Sequence, residues 1–109
     1  MILSTTPSLD GKTIKEYRGI VFGEVITGID FVKDFTASIT NLTGGRASEY
    51  EEELVSSRAD AISEMIERAK KVGANALVGV NVDVESITVG EQGQMMIMVV
   101  ATGTAVVIE

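Results

Sequence analysis

The chain has no cysteine and no histidine among its 109 residues, and these two absences remove much of the chemistry open to a small protein. Without thiols there are no disulfides, no thiolate nucleophile and no thiolate metal site. Without imidazole, the commonest general base and the commonest metal ligand are both missing. Ser-His-Asp and Cys-His arrangements are therefore excluded, and the sequence reads as that of a protein that is not an enzyme. Basic residues are also few: nine Lys and Arg against sixteen Asp and Glu leave a net charge of −7. The nine form no cluster, which argues against a nucleic-acid partner, because binding a phosphate backbone needs grouped cations to displace counterions. Long hydrophobic runs are lacking as well. The longest, residues 95–108, is interrupted by Thr102, Gly103 and Thr104 and is too short to cross a bilayer as a helix. The start, MILSTTPSLDGK, has neither the basic beginning nor the apolar core of a signal peptide. The expectation is a cytoplasmic protein with no membrane partner.

What is present suffices for one core. Apolar residues make up 45% of the chain, which at this length supports a single domain, residues 1–109. The clearest element is a helix over residues 48–72. Ser48 is the expected N-cap, with Glu51 three residues on completing a capping box, and Gly73 supplies the stop. At 100° per residue, Tyr50, Leu54, Val55, Ala61, Ile62, Met65, Ile66, Ala69 and Val72 share one face. Glu49, Glu53, Asp60, Glu64 and Glu67 gather opposite, a solvated stripe. After the helix, Val78, Val80, Val82 and Val84 alternate with Gly79, Asn81, Asp83 and Glu85 as in a strand. Residues 95–108 form a second strand, apolar on both faces: Met95, Ile97, Val99 and Ala101 on one, Met96, Met98, Val100 and Val106 on the other. Before the helix, residues 2–6 read as a short strand and residues 7–12 as a turn around Asp10-Gly11. Residues 13–27 read as a strand with Gly19 and Gly23 at bulges or close contacts. Apolar spacing through Ile29, Val32, Phe35, Ile39 and Leu42 suggests a shorter helix over residues 30–43.

The fold class is α+β: one long helix packed on a mostly antiparallel sheet in two layers. One helix covers one face of a sheet, yet the final strand is apolar on both. Another copy of the chain supplies the missing cover, since most soluble oligomers are homomeric and closed. The other reading is that the 30–43 helix covers that face within the monomer.

Three motifs carry a family resemblance. Gly44-Gly45-Arg46 followed by Tyr50-Glu51 and Leu54, then Gly73-Ala74-Asn75-Ala76-Leu77-Val78-Gly79-Val80, then Ala101-Thr102-Gly103-Thr104-Ala105-Val106 together resemble the YbjQ-like family. That family also bears a heavy-metal-binding label. The resemblance implies a dodecin-like α/β layer fold assembled as a closed ring, a homopentamer. It implies no established catalytic residue.

Several constellations are open to a functional and a structural reading. Arg58 projects near the centre of the helix's apolar arc, with Glu51 two turns earlier on nearly the same meridian. With Arg46 they either line an anion or small-ligand pocket or form a buried Arg–Glu network. On the network reading, Arg58→Ala destabilises by about 3 kcal/mol, because the lone carboxylate left behind is buried without a partner. Gly44 and Gly45 ahead of a helix either cradle a phosphate or make a turn between helices. Asp83 and Glu85, with Asn81, present oxygen ligands of the kind a divalent metal ion takes, or simply an exposed sheet face. Met95, Met96 and Met98 invite a copper reading but read better as packing. The ring thus either binds a metal ion or small ligand, or is a purely structural or protein-interaction assembly without a ligand.

Overall fold

Three long segments rich in β-branched residues pair into a single sheet. In the computed structural model, which describes residues 1–29, 45–89 and 94–109, these are β2 (Ile14–Ile29), β3 (Ala76–Val89) and β4 (Gln94–Ile108). A two-residue strand, β1 (Ile2–Leu3), completes the order β1-β3-β4-β2. β1 runs parallel to β3 and the other pairs are antiparallel, so the sheet is mixed. The one helix among the described residues, α1 (Gly45–Lys71), lies chiefly along β2 and secondarily over β4. No described helix is long and apolar enough to cross a membrane. The expected helix over residues 30–43 falls outside the described residues.

The approach of α1 to the sheet is set by small side chains. Ser57, Ala61, Met65 and Ala69 form its buried line, four residues apart and thus one above another on the helix. Opposite them, Gly23 of β2 has no room for a side chain. A Cβ there would sit on the Ala61 carbonyl oxygen and 2.8 Å from the Met65 backbone nitrogen. Across the sheet, Ile97, Val99, Ala101 and Ala105 of β4 and Leu77 of β3 complete this core. Four turns earlier than its stop, Ser57 Oγ meets Thr27 Oγ1 at 3.3 Å, so the buried hydroxyl has a partner.

The helix ends as expected and begins earlier than expected. Gly73 takes φ +81°, the Gly73 N–H donates to Lys70 O at 3.0 Å, and the Ala74 N–H donates to Ala69 O at 3.1 Å. These two bonds are a Schellman closure, which only a left-handed residue at Gly73 permits without strain. At the other end the chain is already helical at Gly45. Ser48 therefore lies inside the first turn and cannot be the N-cap, which needs non-helical backbone angles. Glycine's weak helix propensity, about 1 kcal/mol below alanine, makes Gly45 read as turn from sequence alone.

A bulge in β3 corrects the alternation read from the sequence. Val78 pairs with Thr104 and Asn81 with Thr102, so one extra residue is inserted between them, at Gly79 with φ +59°. The insertion puts Val78 and Val80 on opposite faces. Val80 and Val82 join the core under α1, whereas Val78 packs with Ala76 and Val106 on the other face, beneath Leu9, Ile14 and Ile108. The amides freed by the bulge are taken by the N-terminal segment: the Gly79 N–H donates to Thr6 O at 2.8 Å and the Val80 N–H to Ser4 O at 3.0 Å. β2 shifts register against β4 twice, between Ile14 and Glu16 and between Tyr17 and Gly19, the second marked by Gly19 with φ +104°.

Because backbone rather than a flexible side chain blocks the space at Gly23, Gly23→Ala is expected to lift α1 off the sheet. The expected loss is about 2–3 kcal/mol, in the range of overpacked cores. Urea denaturation at fixed protein concentration reads it, with Gly28→Ala as the control, since nothing lies within 4 Å of a Cβ built there.

Candidate functional site

Among the described residues, those singled out from sequence do not converge. Gly44 lies outside the described residues, while Gly45 and Arg46 belong to the first turn of α1. The chain is helical from Gly45 onward, so Gly45 does not sit in a turn. Glu51 and Arg58 are both exposed, and the expected buried pair is not formed. The reason is geometric. Ser57 takes the sheet-facing position in that turn, and the next residue along a helix is turned away by 100°. Seven residues of separation also place Glu51 about 10 Å from Arg58 along the axis, and no ion pair among the described residues includes either. Glu51 and Glu52, with Val55 and Ser56, instead line a shallow, open depression on the outer side of α1.

Asp83 and Glu85 stand two residues apart on β3, on the sheet face away from α1, and both are exposed. The Asn81 side-chain amide donates to Asp83 Oδ2 at 3.2 Å. Their cross-strand partners, Val100 and Met98, bring no further oxygen donors. Among the described residues no three His, Cys, Asp or Glu side chains gather as a metal cluster would.

Two polar anchors were not legible as functional or structural from spacing. Asn75, just past the Schellman turn, acts as a surrogate strand residue. Its Oδ1 accepts from the Ile108 N–H at 2.7 Å and its Nδ2 donates to Ile108 O at 2.9 Å. Arg68, in the last turns of α1, reaches the edge strand β2. It donates to Phe22 O at 2.8 Å and to Glu24 Oε1 at 3.2 Å, and also pairs with Glu64. The ion pairs are half-exposed and individually weak, but the bond to Phe22 O occupies an acceptor on an edge strand and blunts it.

The motifs of the second and third segments thus have structural work at several positions. Gly73 closes the helix, Asn75 clamps the end of β4, Leu77 fills the helix-side core and Gly79 makes the bulge. Ala101, Gly103 and Ala105 keep β4 thin beneath α1; a Cβ on Gly103 would press on Val80, Leu77 and Met65 at 3.2–3.4 Å. The YbjQ family, described as "Putative heavy-metal-binding", matches residues 1–109. The chain belongs to that family. Relatives that span the same length include a "UPF0145 protein" of Acetivibrio thermocellus, 55% identical over 109 residues and covering 100% of both chains. Another, from Actinobacillus pleuropneumoniae serotype 3, is 55% identical over 108 residues with 99% of each chain covered. A crystal structure of a protein of the DUF74 family from Pediococcus pentosaceus, its function unknown, aligns with a TM-score of 0.57 at 14% identity, covering 100% of this chain and 98% of that one. At that identity it supports the YbjQ fold alone.

The family description sets a test that the donor set of this YbjQ chain fails. Soft heavy metals are held by thiolate and imidazole, and the chain has neither. Its sulfur is confined to five methionines, of which Met65 is fully buried under α1.

Two substitutions separate these placements. Arg58→Ala is expected to change stability by less than about 0.5 kcal/mol, as for a surface position, and not by the 3 kcal/mol of a buried pair. Asn75→Ala, which removes both bonds to Ile108, is expected to cost about 1–2 kcal/mol. Chemical denaturation of both variants at one protein concentration gives the comparison.

Proposed function

We propose that the chain works through self-association, as a non-enzymatic homo-oligomer whose subunits cover one another's exposed sheet face. The observation that supports this is the side of the sheet away from α1. There Ile20 is 69% exposed, Ile26 62%, Ile87 47%, Phe22 45% and Met96 37%, and Met98 and Val100 lie between them, part-covered. The register puts them side by side: Ile26 pairs with Met98, and Ile87 and Gly28 both pair with Met96. Glu24, Asn81, Asp83, Glu85 and Thr102 share this face, so it is a mixed surface. Its support for an interface is the grouping of exposed large apolar side chains between those polar ones, a feature of contact surfaces. The N-terminal segment covers this face only over Ala76, Val78 and Val106. β2 and β3 also end the sheet: β1 and residues 4–6 accompany β3 no further than Val80.

In this reading the assembly is a closed ring, five-membered as the family resemblance implies, in the cytoplasm and without nucleic-acid or membrane partners. Its function is to hold a divalent cation or small polar ligand where subunits meet; a ring that recruits proteins through its acidic helix stripe is the second form of the same proposal. Light scattering at micromolar concentration is expected to give a multiple of the 11.6 kDa chain mass. Ile26→Lys together with Phe22→Lys is expected to lower that mass to the monomer while the helical circular-dichroism signal persists. A wild-type mass of one chain contradicts the proposal.

A further inference from the structure

We infer that the heavy-metal description of the family does not extend to this chain: neither the protomer nor any symmetric assembly of it holds a tight site for a soft, thiophilic metal. The inference rests on donor chemistry and not on the assembly proposed above. Tight cadmium and mercury sites are built from thiolate, copper(II) sites from imidazole, and tight zinc sites from thiolate and imidazole, with carboxylate as an accompanying ligand. Thiolate and imidazole are both absent from all 109 residues. Repeating the chain around a symmetry axis multiplies the donors it has and creates no new kind.

What remains is thioether and oxygen. Met65 is sealed at 0% exposure between α1 and β4. Met96 and Met98 share one face of β4, and successive same-face residues of a strand lie about 6.8 Å apart along it. Their nearest cross-strand neighbours are Gly28, Ile87, Ile26 and Glu85, four residues that add one carboxylate and no sulfur. Two thioethers beside one carboxylate on a strand face are what packing uses, and the remaining methionines, Met1 and Met95, add thioether alone. The oxygen donors Asp83 and Glu85 suit hard cations, which take oxygen ligands and keep part of their water.

The test uses the native protein as purified. It is incubated with tenfold excess Zn²⁺, Cd²⁺, Hg²⁺ or, under reductant, Cu⁺, then desalted, and metal is measured per chain. Mass is recorded by light scattering on the same sample. A control shows that the assay detects a soft site: Met96→Cys combined with Met98→Cys is expected to develop the cadmium–thiolate charge-transfer absorption that the wild type lacks. The expected wild-type result is less than 0.1 equivalent of each metal retained, with no shift in thermal midpoint. Retention of a stoichiometric soft metal by the wild type overturns the inference. If copper(I) alone is retained and Met96→Leu with Met98→Leu abolishes it, the inference is overturned at the thioethers specifically. Because mass and metal are read together, an oligomer that retains metal defeats this inference and leaves the assembly standing. A metal-free monomer does the reverse.

Discussion

One helix serves a sheet whose other face also carries exposed large apolar side chains, set among carboxylates, and the rest of the structure is arranged around that imbalance. α1 lies along β2 and reaches β4, burying Val21, Leu77, Ile97, Val99, Ala101 and Ala105. Its closeness comes from Gly23, where backbone meets backbone. A helix held that near its edge strand completes one core well and leaves the opposite face to other means. The N-terminal segment covers one end of that face by way of Leu9 and the bulge at Gly79. Among the described residues, Ile20, Phe22, Ile26, Ile87 and Met96 have no such cover. Burial of those side chains, at roughly 25 cal/mol per Å² of apolar surface, is free energy that the described protomer has not drawn on.

The family motifs belong to this architecture. Gly73, Asn75 and Gly79 stand within seven residues and perform three different backbone tasks: a helix stop, a strand clamp and a bulge. The alternating small residues of Ala101, Gly103 and Ala105 leave space for Met65 and Leu77. A segment so occupied with geometry has few side chains left for chemistry. That agrees with a sequence devoid of thiol and imidazole, and it separates what the motifs identify, a fold, from what the family description names, a metal.

Much of the fold was legible because its signals are local. The period of α1, the Gly73 stop, the two-faced pattern of β4 and the special roles of Gly19 and Gly23 all follow from single residues or short repeats. The misreadings have a common cause in tertiary placement. Val78 and Val80 alternate perfectly in sequence, and only the left-handed Gly79 turns them to opposite faces. Arg58 sits within the apolar arc of an ideal helix, but α1 seats Ser57 against Thr27, and no helical wheel shows which part of an arc the sheet receives. Asn75 and Arg68 act across 33 and 46 residues of chain, distances over which spacing carries no information.

The central claim, that the uncovered face is an interface between copies, is open to direct measurement because the chain has no cysteine of its own. Single Ile26→Cys and Glu67→Cys variants, each checked to retain the wild-type mass, place one thiol on the sheet face and one on the outer side of α1. Their rates of reaction with a thiol reagent are then compared under native conditions and in denaturant. The account predicts that the thiol at position 26 reacts at least tenfold more slowly than that at 67 in the native protein and at a similar rate once unfolded. Equal native rates would mean that the face stays open to water, and would contradict it.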